Sequence, residues 1–278
     1  MSLIVAKSYG SVGDSSAVFR QCTYNCKRDL GCLKDMAAFQ WNLEPCFSCR
    51  QKCIWTTVDD YKQKENDVPQ FFGKWPFLPI SLPLLSFIPI QEPASVIFSL
   101  LNLYTTVVFY KGICRLRRLT HMKGIWKAYG FIGIFAWFSS TCFHWSDFWL
   151  TEYFDYFSAF CLILFAFYAS ISFVLSPFYS LWVVRLSQKG LFIALFFTYV
   201  SHIRSMVRSS LIYLGAAMIV LVGSGLMEII DYPPLLWIFD SHSLFHLGTI
   251  PFPLLMLRFV QLENQFFHSE DDGYLKIA

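Results

Sequence analysis

Long apolar runs, separated by short polar connections, set the architecture of this chain. Residues 93–110, 125–143, 152–175, 211–227 and 235–260 are each long enough to cross a bilayer as a helix, and residues 191–200 form a sixth run of marginal length. Such runs satisfy their backbone groups within the segment, so they predict a helical bundle rather than a barrel. The prolines at 76, 79, 83 and 89 argue against a straight helix over 76–92, and an interfacial or re-entrant segment is expected there. Four regions follow: a polar, cysteine-rich domain over 1–75 with little periodicity, the Pro-rich segment 76–92, a transmembrane bundle over 93–260, and a polar tail over 261–278 that is disordered at its end. The fold class expected is an all-α membrane protein with about six helices and a small N-terminal domain.

Composition agrees with this reading. The chain is 55% hydrophobic and 15% charged with a mean hydropathy of +0.47, whereas a soluble domain is nearer one quarter charged. The net charge of +3 sits in short loops and gives no reason to expect a nucleic-acid partner. Lys111, Arg115, Arg117, Arg118, Lys123 and Lys127 form the strongest basic loop, which is therefore expected on the cytosolic side. The N-terminal domain then falls on the lumenal side.

Cysteine usage supports that orientation independently. Cys22, Cys26, Cys32, Cys46, Cys49 and Cys53 crowd one polar region, which suggests three disulfides in an oxidising compartment, with fifteen pairings open. Zinc held by Cys46 and Cys49 with Cys22 and Cys26 is the alternative. Cys114, Cys142 and Cys161 read as small buried hydrophobes. A lumenal domain needs a signal, yet Leu3–Ala6 is short for a signal core and lacks a positive flank. Either an upstream signal peptide is missing from this start, or the first membrane helix carries the domain across.

The candidate chemistry lies in two clusters. The stretch Ser139–Asp155 places Ser140, His144, Asp147, Glu152 and Asp155 at a membrane boundary, where ionisable groups are costly and read as functional. About a hundred residues on, His242 and His246 share one helix face, a spacing that suits two imidazoles on one metal ion. Two histidines hydrogen-bonded to neighbouring helices is the alternative. With His144 as third ligand, the set is that of a catalytic zinc site with a position left for water. Ser140, one turn before His144, is a candidate for holding that water or steadying an oxyanion, against simple bonding to a helix carbonyl. Asp155 is a candidate proton carrier, against a first-turn carboxylate favoured by the helix dipole. Asp147 and Asp240 are candidates for orienting histidine nitrogens, and Asp240 also for the lower helix turn; Glu228 and Asp231 read as boundary residues. The implied reaction is hydrolysis of a lipid ester or amide at the membrane edge.

The stretches GSVGDSSAVFRQCTYNC, VPQFFGKWPF, QEPAS, AWFSSTCFHWSDFWLTEYFDYFSA and EIIDYPPLLWIFDSHSLFHLGTIPFPLL cover most of the chain and resemble the Per1-like family. That family sits in a wider group of membrane hydrolases with the alkaline ceramidases and adiponectin-receptor-like proteins. The resemblance implies a seven-helix fold and Zn2+ as cofactor. It implies His144, His242 and His246 as metal ligands and Ser140 and Asp155 as catalytic groups. It further implies removal of the sn-2 acyl chain from GPI-anchored proteins in the endoplasmic reticulum or Golgi membrane. A ceramidase-like amidase or esterase, a non-enzymatic membrane protein and an inactive isoform are the rival readings.

Two departures from the family pattern are expected to matter. The start lacks a clear signal peptide, and an internal helix is expected to be absent between Met206 and Arg208. With six strictly alternating spans, His144 and the pair His242 and His246 would lie on opposite faces, roughly 30 Å apart. The two clusters can meet if residues 191–200 do not span.

Overall fold

The computed structural model describes residues 11–83, 86–116, 122–175 and 209–275, with side chains described as far as residues 172 and 265 in the last two stretches. The expected span at 191–200 and the expected junction at 206–208 lie outside the described residues. Among the described residues the structure is helical. In chain order the helices are α1 (Val12–Ser15), α2 (Ala17–Asp29), α3 (Cys46–Gln63), α4 (Pro93–Arg115), α5 (Lys123–Trp145), α6 (Trp149–Leu175), α7 (Ser210–Ile229), α8 (Ser241–Thr249) and α9 (Phe252–Leu275). A single 3-10 turn spans Phe39–Asn42. Among the described residues, four helical stretches are long and apolar enough to cross a membrane: Pro93–Arg115, Trp149–Ser172, Ser210–Ile229 and Ser241–Gln265. The chain is thus an all-α, multi-pass membrane protein.

The chain divides into two compact units. The first comprises residues 1–96, 142–152 and 229–243; the second comprises 97–141, 153–228 and 244–278.

The first unit contains the cysteine-rich region, which is more regular than expected. α2 and α3 form a helical hairpin bridged by Cys22–Cys53, Cys26–Cys49 and Cys32–Cys46. Cys22 and Cys26 are one helical turn apart, as are Cys49 and Cys53, so each pair faces its partner helix as one stripe. Pairing the first of one stripe with the second of the other requires the helices to run antiparallel. Those thiols are therefore consumed as disulfides, and the zinc alternative for them is set aside. Phe19, Trp41, Ile54, Val58 and Phe71 pack with the bridges as the unit's core. A hairpin this small buries too little apolar surface to be stable by itself, and each bridge adds about 3 kcal/mol by shrinking the unfolded ensemble. The Ser16 hydroxyl caps α2 by accepting from the Phe19 N–H at 3.2 Å. Gly13 has no room for a side chain, since an added Cβ would stand 2.6 Å from the Gln70 carbonyl oxygen.

The second unit carries most of the membrane bundle, and α4 shows its logic. Ser99, Asn102, Thr105 and Thr106 are buried, whereas Ile97, Leu100, Leu101 and Tyr104 are exposed. This reversed amphipathicity suits a helix whose outer face meets lipid, because hydrocarbon gives apolar side chains no reason to turn inward. Phe109, Ile113, Trp126, Ala217, Met256 and Phe259 form an apolar core in this unit. Glycines let helices approach: a Cβ on Gly133 would stand 3.0 Å from the Thr106 methyl, and one on Gly248 would collide with Ser224.

Three expectations are corrected here. The last apolar run is not one helix over 235–260: residues 235–239 form a turn, α8 begins at Ser241, and the helix breaks at Ile250–Pro251 before resuming as α9. Pro251 lacks the N–H that an unbroken helix would need. The polar tail expected over 261–278 is helical as far as Leu275. Cys114 is exposed on α4, and Cys142 and Cys161 are half-buried rather than buried, because they lie toward the outer faces of their helices.

Two predictions follow from the hairpin. Non-reducing peptide mapping should recover the three pairs 22–53, 26–49 and 32–46. Cys26→Ser with Cys49→Ser should lower the stability of this region by about 2–4 kcal/mol, read from the denaturant midpoint of the N-terminal region.

Candidate metal centre

The centre is assembled in the first unit from a tight turn and the ends of two helices. Phe71 and Lys74 exchange backbone hydrogen bonds of 2.7 and 3.0 Å, enclosing Phe72 and Gly73. Both enclosed residues have positive φ, +52° for Phe72 and +80° for Gly73. Glycine takes this conformation freely, whereas Phe72 is strained there by about 1 kcal/mol or more. The turn sits against α1, where the Asp14 carboxylate accepts from the Phe72 N–H at 3.0 Å and the Ser11 hydroxyl accepts from the Gly73 N–H at 2.6 Å. What the turn achieves is the aim of Lys74.

The Lys74 ammonium donates to Glu92 Oε1 at 2.7 Å and pairs with Asp147 Oδ2 at 2.8 Å. It also lies 3.9 Å from the centre of the Phe143 ring. The other oxygen of Glu92 is 2.6 Å from Nδ1 of His144. Glu92 and His144 are both buried. Burial alone would raise the Glu92 carboxyl, but the Lys74 ammonium and His144 outweigh it and hold the carboxyl well below its ordinary range. Burial likewise acts to lower Lys74, and Glu92 and Asp147 reverse the effect and hold the ammonium above its usual value. Each buried charge thus has an opposite charge and hydrogen bonds, the condition under which burying ions is tolerable.

Backbone contacts fix the same geometry. The Gln91 and Glu92 N–H groups donate to the carbonyls of Trp145 and His144, each at 3.1 Å. The residue before a helix therefore grips the end of another, and Pro93 follows at the first helical position, where a missing N–H costs nothing. With Nδ1 of His144 engaged by Glu92, its Nε2 is left to face His242, whose Nε2 is 3.3 Å away. Two ring nitrogens that close, with a carboxylate behind one of them, match the carboxylate–histidine arrangement seen behind metal ligands.

His242 is delivered by α8. Asp240 precedes this helix, and its carboxylate accepts from the Ser243 N–H at 2.8 Å while the Ser243 hydroxyl bonds back to Asp240. This is helix capping, so Asp240 contributes by setting where α8 begins. The preceding turn encloses Leu236 and Trp237, both with positive φ. Trp237 stacks edge-on against Trp55 at 5.0 Å, beneath the Lys62 ammonium at 4.5 Å. Asp231 accepts from the Trp75 indole at 2.6 Å and from the Gln70 amide at 3.0 Å, so it ties the segment leading to α8 to the segment that aims Lys74.

His246 follows one turn after His242 on α8. In the second unit its carbonyl accepts from the Asn102 amide at 2.7 Å, and its ring lies edge-on to Trp137 at 5.4 Å. Within the first unit, His144 and His242 bring ring nitrogens to 3.3 Å of each other, a pair that could hold a metal ion. With a third imidazole such a pair becomes a donor set that suits zinc and leaves a position for water. Ser140 is buried on α5, one turn before His144, with its hydroxyl 3.3 Å from that of Ser99. Asp155 is half-buried on α6, where its carbonyl accepts from the Ser158 hydroxyl at 3.1 Å.

Sequence reasoning singled out all three histidines but gave no role to Glu92 or Lys74. Asp147, expected to orient a histidine, pairs instead with Lys74, whose ammonium also meets Glu92, the carboxylate beside His144. A signal for Glu92 existed, since a carboxylate heading the first apolar span is costly unless it is used.

An all-helical membrane protein in which His144 and His242 face each other from the ends of two helices defines a class of candidate metalloprotein. A sequence model of the Per1-like family matches residues 35–214 and 193–263, and the chain belongs to that family. The chain is 30% identical to the GPI-specific phospholipase A2-like PGAP3 of Mus musculus, over 100% of this chain and 97% of the relative. It is 29% identical to the protein of that name in Homo sapiens, over 98% and 95% of the two chains. It is also 29% identical to post-GPI attachment to proteins factor 3 of Drosophila melanogaster, over 94% and 92%. The mouse alignment runs over 320 positions against 278 residues, so that relative carries residues within the aligned span that this chain lacks. No solved structure matches the chain.

Glu92→Gln should keep the chain folded but weaken metal binding about 10–100-fold, read as metal content after dialysis against a buffered chelator. Unchanged metal content would remove Glu92 from the site.

Proposed function

We propose that this chain is a metal-dependent lipid hydrolase that removes the sn-2 acyl chain from the anchor of GPI-linked proteins. The observation that carries the proposal is the approach of His144 and His242 to 3.3 Å between ring nitrogens, with Glu92 bound to the far nitrogen of His144; His246, one turn after His242, is the third ligand we assign. The names of the relatives, GPI-specific phospholipase A2-like and post-GPI attachment factor, supply the substrate class. Zinc is the cation we assign, on the strength of three imidazole donors. When bound, it supplies a Lewis acid that polarises an ester carbonyl and acidifies water.

The chain's own residues do the rest. Glu92 keeps the proton of His144 on Nδ1, so that Nε2 presents its lone pair. Ser140 donates from its hydroxyl to the oxygen on which charge develops as the carbonyl is attacked. Asp155 takes a proton from the attacking water and returns it to the leaving alkoxide. The polar inner face of α4 sits beside an outer face that meets lipid, which suits a substrate with a polar head and acyl chains. In this reading the N-terminal unit is lumenal, in the endoplasmic reticulum or Golgi, where its disulfides persist.

His246→Ala in the purified chain should abolish both metal binding and release of fatty acid from a GPI lipid. Ser140→Ala should keep the metal and lower kcat about 10²–10³-fold. Acyl release at the parent rate by His246→Ala would overturn the mechanism, and release from ceramide but not from GPI lipid would overturn the substrate.

A further inference from the structure

A cavity of about 90 Å³ lies wholly within the first unit, and the reaction as proposed does not use it. Its polar wall consists of Arg50, Gln51, Lys74, Gln91, Glu92 and Asp147, and Phe72, Trp75 and Phe77 stand among its aromatic residues. We propose that this cavity binds a neutral, hydroxyl-rich ring, the inositol or a sugar of the GPI headgroup. The naming of that headgroup rests on the substrate reading above.

Three observations select this chemistry. The first is charge. Two cations face two carboxylates, and Lys74 is already committed to both of them at 2.7 and 2.8 Å. Arg50 is likewise engaged, donating to Asn42 Oδ1 at 3.2 Å. No surplus positive charge remains for a phosphate, and no surplus negative charge for an ammonium group. The second is an orphan. Gln51 Oε1 is buried and has no hydrogen-bond partner among the described residues. A buried acceptor left alone costs about 1–3 kcal/mol, so a ligand that brought a donor to Gln51 would be favoured. A hydroxyl group brings one; an ionised phosphate brings only more acceptors. The third is shape and surface. Amides, carboxylates and a guanidinium can each bridge neighbouring hydroxyls, while aromatic faces cover the apolar faces of a ring. At roughly 10–15 Å³ per ordered water, the space holds about six to nine waters, comparable to the dozen or so heavy atoms of a six-membered polyol.

The position of the cavity adds a consequence. Glu92 lines it with one carboxylate and holds His144 with the same group. A ring seated there would be fixed one side chain away from the candidate metal centre, as a headgroup must be if the ester beside it is to be cut.

The test is saturation-transfer NMR on the full chain in detergent micelles, with myo-inositol and methyl mannoside as probes. Inorganic phosphate and ethanolamine serve as competitors. Saturable transfer to either polyol is expected, with neither competitor displacing it. Gln51→Leu and Phe72→Ala should each weaken binding about tenfold while all three disulfides remain in the peptide map. Phe72 is exposed at the cavity, so its truncation removes little from the core if Gln51→Leu fails to fold. Absence of saturable transfer, unchanged affinity in both variants, or displacement by phosphate or ethanolamine would each overturn the inference. The readout is binding, so it separates from turnover. A chain that binds polyols but releases no acyl chain keeps this site and overturns the hydrolase reading. A chain that releases acyl chains without binding polyols does the reverse.

Discussion

A buried carboxylate must be neutralised, and in this protein Glu92 is the carboxylate on which the centre depends. It stands just ahead of a membrane helix, nearly inaccessible to solvent, with one oxygen on Lys74 and the other on His144. Removing either partner would leave a charge in a low-dielectric setting, at a cost of several kcal/mol. The surrounding structure can be understood as the means of keeping both in place. The turn at Phe71–Lys74 is strained in order to aim the ammonium, and α1 and Asp231 brace that turn. The disulfide-linked hairpin supplies a rigid base for a region otherwise too small to hold its shape.

The helix that follows Glu92 is polar on its buried face. Ser95, Ser99, Asn102 and Thr106 recur along α4 at helical spacing, all buried, while Ile97, Leu100, Leu101 and Tyr104 are exposed. Hydroxyl and amide groups at Ser99 and Asn102 reach Ser140 and the backbone of His246, which places residues with chemical potential along one continuous polar stripe. In a bilayer such groups hold helices together only when they find partners, so the stripe both packs the bundle and supplies it with chemistry.

Membership of the Per1-like family agrees with this arrangement without explaining it. Kinship says which proteins the chain resembles; the ion pairs explain why His144 can present one particular nitrogen. The distinction matters because this chain lacks residues that its relatives carry. On alternating spans alone, that shortening suggested histidines on opposite faces of the bilayer. His144 and His242 instead stand with ring nitrogens 3.3 Å apart.

The sequence by itself determined the class of the protein and its long apolar helices, and it placed two histidines on one helix face, because these are local properties. An apolar run long enough to span can only be a helix, and two histidines four apart share a face wherever that helix lies. The spacing of Cys22, Cys26, Cys49 and Cys53 also held the hairpin in plain view, although polar composition masked it. Tertiary structure decided which cysteine met which, since fifteen pairings were chemically equivalent until α2 and α3 were laid antiparallel. It decided that Asp240 caps a helix and that Asp147 acts through Lys74. It revealed Glu92 and Lys74, which are 18 residues apart and 52 and 70 residues from His144. No periodicity links such positions. Only folding, which makes an unpaired buried charge costly, brings them together.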